Sequence, residues 1–494
     1  MFAKIIPKIY YSSTLKTTMV IFSSIVIFYL WDFGAKYLLD TSLALPWWAK
    51  SIYIKLLTLT PLLFFFKKDL LITKGFFPIL LIGLYVIFQY IYNFIVFDKI
   101  FTTTDLKFFL GFSLTMFVVF LSKKIILLNK KKISLFLIYL SPFFVLADNF
   151  YFWSKEDLLW QCSFLGNDSN IFKLFFLESS HYGMVAIPVF LLNLFYLCKK
   201  FNLINFLLLI IFSSSMILFF STTMAVGTIL SIAIILLTNF RNINAKFFLS
   251  CVIVMFVYVL IFVNAYGCSR RISDLFYHHY ILSVEKIDIL NSKNKNTAIQ
   301  DSRFIVTIEN NIAKLIIFTY TKFTKKNKQE TERSQNLKDS GISDKLVKLN
   351  DLQRERVFNK INVTSQVASN SFEVALKTLY AKPFGVGLNR FIDAFKDQIK
   401  SQQQYYSSEI MKINLSDGSS NLAKLIAEFG VVSFVVFAYF IIFIFSKKIS
   451  IENKLFLFPL VLTQIIRGAG YFNGGFLAAV VLIILIVHEN KEKN

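Results

Sequence analysis

Along most of this chain, long apolar runs alternate with short connectors that are basic or acidic by turns. Crossing ~30 Å of hydrocarbon takes roughly 17–25 helical residues. Apolar runs that approach or reach that length fall at Thr14–Trp31, Trp47–Phe66, Phe76–Phe97, Leu106–Leu121, Ile133–Ala147, Tyr182–Leu197, Ile204–Phe220, Thr223–Leu237, Phe247–Ala265, Phe429–Phe445, Leu455–Ile466 and Phe472–Val487. Backbone in lipid must satisfy its own hydrogen bonds, so these runs predict helices. The expected fold class is an all-α polytopic membrane protein with about twelve transmembrane helices. The pattern fails once, between about Ala265 and Leu425, where the chain turns polar and basic. That interruption divides the chain into three regions: helices one to nine over 1–265, a large loop over 266–425, and helices ten to twelve with a tail over 426–494.

Composition agrees with the pattern. Of 494 residues 56% are hydrophobic, and the mean hydropathy is +0.60, too apolar for a soluble protein of this length. The 58 Phe and 22 Tyr accompany many Lys, Ile and Asn, a bias that reads as an AT-rich genome and lends aromatic clusters no functional weight. A net charge of +23 would suggest nucleic acid in a soluble protein. Here no compact basic fold or base-stacking pattern accompanies it, so no nucleic-acid partner is expected.

The basic residues instead carry topology. Every second connector holds them: Lys4, Lys8 and Lys16; Lys67, Lys68 and Lys74; Lys123, Lys124 and Lys130 to Lys132; Lys199 and Lys200; Arg241 and Lys246; Lys447, Lys448 and Lys454; Lys491 and Lys493. The other short connectors hold acids such as Asp32, Asp40, Asp98, Asp148 and Asp157. By the positive-inside rule the first set is cytoplasmic, both termini are cytoplasmic, and the large loop between helices nine and ten is outside. The first helix comes after a basic segment without a small-residue cleavage site, which reads as an uncleaved signal-anchor.

Candidate chemistry gathers at the outer level. Glu178 and His181 stand three apart before the sixth helix, and Ser221-Thr222-Thr223 forms a short turn between helices seven and eight. Arg270, Arg271 and Arg303 open the loop, and Arg467 sits among glycines and apolar residues where helix eleven meets the interface. A charge in that setting needs a partner or a water-filled cavity. Arginine's planar fork suits a diphosphate. The four cysteines include Cys162 and Cys268, which face outward and are equally compatible with a disulfide and with two free thiols. No Cys/His spacing reads as a zinc site, and no metal is expected. Gly385-Val386-Gly387 lacks the third glycine and the leading strand of a dinucleotide fingerprint.

Pro383-Phe384-Gly385-Val386-Gly387-Leu388-Asn389-Arg390, then Ser419-Ser420-Asn421-Leu422, then Glu428-Phe429-Gly430 opening a helix, resemble the bacterial O-antigen polymerase/O-antigen ligase superfamily. The resemblance covers the large loop and its flanking helices, and the layout with a long late loop is similar. It implies a GT-C-like fold and glycosyl transfer at the periplasmic face of the bacterial inner membrane from an undecaprenyl-diphosphate-linked oligosaccharide. It also implies no cofactor and no metal, with the bilayer, a chain-length regulator and a flippase as candidate partners.

Residue by residue, the resemblance implies diphosphate binding by Arg303 and Arg467, with Arg270 or Arg271 substituting for an arginine that the family often carries where Ser221-Thr222-Thr223 stands. Glu178, His181 and Asp417 are candidates for the base or a sugar-binding carboxylate, and Gly385, Gly387, Asn389 and Asn421 form the loop motif. Ser420 stands where ligases typically carry histidine, which favours polymerase. The alternatives are a ligase acting on lipid A-core or protein, and a transporter of lipid-linked glycan. The second would be expected to show charges deep within helices and internal repeats.

Overall fold

The computed structural model describes residues 18–19, 76–152, 179–218, 221–264, 363–402, 418, 420–468, 470–471 and 475–492. Twelve α-helices occur among them: α1 (Phe76–Phe97), α2 (Thr103–Phe152), α3 (Ser179–Lys199), α4 (Leu203–Leu218), α5 (Thr222–Asn239), α6 (Ala245–Asn264), α7 (Val363–Ala381), α8 (Phe391–Gln402), α9 (Asn421–Phe429), α10 (Ser433–Phe445), α11 (Ile451–Ile466) and α12 (Phe476–Glu492). Short 3-10 turns join α5 to α6 and α9 to α10, and no strand occurs among the described residues. Among the described residues five segments are long and apolar enough to cross a membrane: Phe77–Phe97, Thr103–Lys124, Tyr182–Lys199, Thr223–Asn242 and Asn421–Phe445. The first two expected helices, Thr14–Trp31 and Trp47–Phe66, lie outside the described residues apart from Thr18 and Met19.

Local sequence sets the helix starts. Ser221, Ser420 and Ser450 are N-caps whose hydroxyls accept from Met224, Ala423 and Asn453 backbone N–H groups, satisfying donors that a first turn leaves orphaned. Asn202 and Asn244 do the same for α4 and α6 through their amide oxygens. Thr102 and Asp105 cap α2 reciprocally: the Thr102 backbone N–H donates to the Asp105 carboxylate at 2.8 Å, and the Asp105 N–H donates to the Thr102 hydroxyl.

Two helices depart from the sequence pattern. The runs Leu106–Leu121 and Ile133–Ala147 belong to one helix, α2, with the lysines between them also helical. If straight, its 50 residues would extend about 75 Å, more than twice the hydrocarbon thickness. Contacts place its second half along α3: the Lys131 ammonium lies over the Tyr196 ring, and Asn193 donates to the Ser134 carbonyl. The apolar window expected from Phe429 begins instead at Asn421 and is broken at Gly430, so the last part of the expected loop belongs to this window.

α3 is the centre of the bundle. In its membrane window 72% of residues are buried, against 28% in α1, which therefore lies at the rim. α3 packs on α11, α5, α2 and α4. At one end of the bundle the basic connectors meet: Glu452 binds Lys199 at 2.9 Å and lies 3.8 Å from Lys130, Lys123 pairs with Glu489, and Lys454 donates to Asn239. At the other end lie the start of α2, the start of α9 and the α11–α12 junction, brought together by contacts from the loop motif.

Candidate functional site

The loop Lys382–Arg390 is held by three elements at once. Phe384 carbonyl oxygen accepts from Gln89 Nε2 at 2.5 Å and from Tyr85 hydroxyl at 2.9 Å. Gln89 also donates to the Glu428 carbonyl, Asn93 to the Gly385 carbonyl and Tyr90 to the Leu388 carbonyl. Tyr85, Gln89 and Asn93 recur every fourth residue, so one stripe of an otherwise apolar helix faces the loop. On the opposite side the loop and the end of α9 pair backbone to backbone. Val386 N–H donates to Ala427, Gly387 N–H to Glu428, and Val431 N–H to Pro383.

That pairing requires glycine at two points. Gly385 has φ +78 and Gly430 φ +56, in the region that side chains disfavour. A Cβ on Gly385 would lie 2.3 Å from the Glu428 carbonyl oxygen, and one on Gly430 would lie 2.0 Å from the Pro383 carbonyl oxygen. The Gly-x-Gly and Glu-Phe-Gly motifs are therefore two halves of one backbone contact.

Glu428 organises the chain just beyond the turn. Its carboxylate is fully buried and accepts from the Asn389 and Phe391 backbone N–H groups at 2.9 and 3.1 Å, tying down the start of α8. Lys424, one turn earlier on α9, places its ammonium 3.6 Å away. Asn389 takes φ +61 to make the turn. Next to it Arg390 grips Asp105 with both arms of its fork, Nε to Oδ1 at 2.9 Å and Nη2 to Oδ2 at 2.6 Å, and donates also to the Ile100 carbonyl. Both side chains are only 8% exposed, so the pair is desolvated and depends on that bidentate geometry. Hydrogen bonding to Asp105 holds the Arg390 guanidinium above its ordinary range, so it remains charged.

The second junction joins Asn421 to the α11–α12 turn. Asn421 is fully buried; its side chain accepts from Gly470 N–H at 3.1 Å and donates to the Gly470 carbonyl at 3.4 Å. A Cβ on Gly468 would lie 2.4 Å from the Asn421 amide nitrogen. Arg467, half-buried, ends α11 with its backbone N–H on the Thr463 carbonyl. Tyr471 then packs edge-on to Phe429. Burial pushes its phenol well above the usual range, and the charge of Glu428 adds to the effect.

Of the residues expected from sequence, Gly385, Gly387 and Asn389 thus share one motif, with Asn421 and Arg467 at the neighbouring junction on α9. The first three shape backbone, and Asn421 clamps a turn. Glu178, Asp417, Arg270, Arg271 and Arg303 lie outside the described residues, as do Cys162 and Cys268. His181 falls in the first turn of α3, with its side chain outside the described atoms. Ser420, in the place of the ligase histidine, caps α9.

Sequence reasoning singled out the motifs that hold Arg390 and Glu428 but gave neither residue a role, and it passed over Asp105 and Gln89. One signal was available: an acid just before an apolar run and an arginine just after a Gly-x-Gly turn are both charges that must find a partner. No group of three His, Cys, Asp or Glu residues able to hold a metal occurs among the described residues. No protein-family model, curated protein or solved structure matches the chain, so the site stands on its own geometry.

Proposed function

We propose that this chain is a membrane-embedded glycosyltransferase that uses a polyprenyl-diphosphate-linked glycan, and within that class an O-antigen polymerase. The observation that carries the reading is convergence: the glycine loop, the Ser-Asn and Glu-Phe-Gly elements at the two ends of α9, and the Arg467 junction meet at one end of the bundle with residues of α1 and α2 far away in the sequence. The reaction would move a growing glycan from undecaprenyl diphosphate onto a hydroxyl of a new lipid-linked repeat unit. Its leaving group is a diphosphate, and arginines such as Arg467 and Arg303 would stabilise the charge as it builds. The acceptor hydroxyl would lose its proton to a carboxylate or imidazole, for which Glu178, His181 and Asp417 are the candidates. The Ser420 hydroxyl is engaged in capping α9, which supports polymerase over a ligase that would need a base there. This reading places the protein in the bacterial inner membrane with both termini cytoplasmic and the site facing the periplasm.

Deletion of the gene in its host, with surface polysaccharide separated on a gel, tests the reading. Lipid A-core capped by a single repeat unit is the expected result. Bare core with polymer held on the carrier would mean ligase, and an unchanged ladder would remove both. Complementation with Arg467→Ala or Arg303→Ala should fail to restore long chains at unchanged protein level; normal chains from both variants would overturn the arginine assignment.

A further inference from the structure

Two rulers give the depth of the Pro383–Leu388 turn. The first is α1, whose 22 mostly apolar residues span about 33 Å, close to the thickness of the hydrocarbon. Phe384 and Gly385 are bonded to Tyr85, Gln89 and Asn93, which sets the turn against the middle and last thirds of α1. Gln89 is about 12 Å along the axis from the helix end at Phe97. The second ruler is the apolar window Asn421–Phe445, in which the turn meets the chain at Ala427 and Glu428, about 9–11 Å along α9 from its start, and at Val431 just past the break at Gly430. Both rulers place the turn within an apolar segment, although they belong to different helices.

Irregular backbone at membrane depth survives only where its polar groups are satisfied by protein or water. Here the carbonyls of Pro383, Phe384, Gly385 and Leu388, and the N–H groups of Gly385, Val386 and Gly387, all have protein partners. The polar stripe on α1 serves this turn and the Glu428 and Phe429 carbonyls at the end of α9 beside it. Lys382 fits the same depth. Its ammonium reaches Asp397 and lies 4.5 Å over the ring of Phe97 at the end of α1, as a lysine does when it extends from an apolar level toward the surface.

The Phe384 ring is the one large side chain of the turn that is exposed, and it continues a surface already apolar. It packs edge-on against Phe88 and Tyr92. Leu84, Phe88, Ile91 and Ile95 are also exposed on α1. A ring at that level, bordered by that face, matches hydrocarbon in shape and polarity and matches water in neither.

We propose that Pro383–Leu388 is a re-entrant turn rather than part of an extramembrane domain, and that Phe384 is its contact with bilayer acyl chains. The turn enters from the end of α7 and leaves through Arg390, which is anchored to Asp105 near the surface. The proposal concerns placement and is independent of the reaction assigned above.

Photocrosslinking of the full chain tests it. The photoreactive analogue p-benzoylphenylalanine would replace Phe384, Ile91 or Val386 singly, with each protein in vesicles of palmitoyl-oleoyl phosphatidylethanolamine and phosphatidylglycerol. Mass spectrometry of the irradiated peptides would then locate the adduct. Acyl-chain adducts are expected at 384 and at exposed Ile91, and only crosslinks within the chain at buried Val386. Position 384 giving headgroup adducts alone, crosslinks to another segment of this chain, or no adduct while 91 reacts would overturn the proposal. Absence of lipid adducts at 91 would overturn it too, by removing the lipid-facing ruler.

Discussion

The two ends of the bundle are held by different physics. At the basic end, side chains do the holding: Lys199 and Lys130 around Glu452, Lys123 with Glu489, and Lys454 with Asn239. At the loop end, backbone packs on backbone between Gly385 and Gly430, and side chains serve to satisfy the polar groups that this contact leaves over. Lys123 and Lys454 are buried there, but around half-exposed Lys199 a long side chain adjusts to a lost partner at small cost. A backbone contact with no space for a methyl group does not adjust. Tolerance to substitution should therefore differ sharply between the ends, and that difference can be measured.

The largest effect is expected at Gly430. Gly430→Ala puts a methyl 2.0 Å from a carbonyl oxygen in a backbone conformation alanine disfavours. Its cost should exceed about 4 kcal/mol, the range in which one substitution prevents folding. Thermal melting in detergent or nanodiscs reads this as loss of a folded transition, and a variant melting within a few degrees of the parent would break the contrast. Next comes the Arg390–Asp105 pair. Arg390→Ala strands a buried carboxylate and should cost roughly 3–5 kcal/mol. Arg390→Met with Asp105→Leu removes both charges and should recover most of that loss. Equal damage from the double and single variants would mean that the guanidinium's bond to the Ile100 carbonyl or the Asp105 cap on α2, and not the ion pair, holds the loop.

The unequal legibility of the chain has the same origin. Apolar periodicity located α1 to the residue and α3 to α6, α11 and α12 within a few residues, because each must bury or present one continuous surface. The glycine motifs were legible as motifs, but their mutual contact was not. Gly385 and Gly430 lie far apart in the chain, and a glycine records that space is short without recording what fills it. Arg390 and Asp105 are 285 positions apart, and nothing near either names the other. Asn421 is legible as part of a motif, but its bond to Gly470, 49 positions on, is not. The break at Gly430 hid inside an apolar run for a further reason: hydropathy counts side chains, and the break is a property of the backbone.

A smaller effect should come from Gln89, where the loop end relies on a side chain. Gln89→Leu keeps the volume and removes a donor shared by the Phe384 and Glu428 carbonyls. Leaving buried carbonyls short of a partner costs roughly 1–3 kcal/mol, seen as a lowered melting midpoint with the cooperative transition retained. A neutral result would mean that Tyr85, bonded to Phe384 and Phe429, suffices alone.

Glu452 supplies the test at the basic end and the smallest expected effect. Burial raises its carboxyl, but the hydrogen bond and charge of Lys199, the charge of Lys130 and the Tyr196 hydroxyl together outweigh burial and hold it below the ordinary glutamate range. A carboxyl whose folded value is depressed stabilises the fold above its unfolded value, and that contribution disappears as pH falls through the folded one. Glu452→Gln should therefore cost at most about 1 kcal/mol at neutral pH, in keeping with a solvent-accessible pair. The gap between parent and variant should close as the medium is brought from about pH 7 down past the ordinary glutamate value near about 4.3. A gap that stayed constant over that range would assign the loss to packing against Tyr196 and not to charge. A cost as large as that at Arg390 would mean that the basic end is as rigidly specified as the loop end, and the contrast between them would be lost.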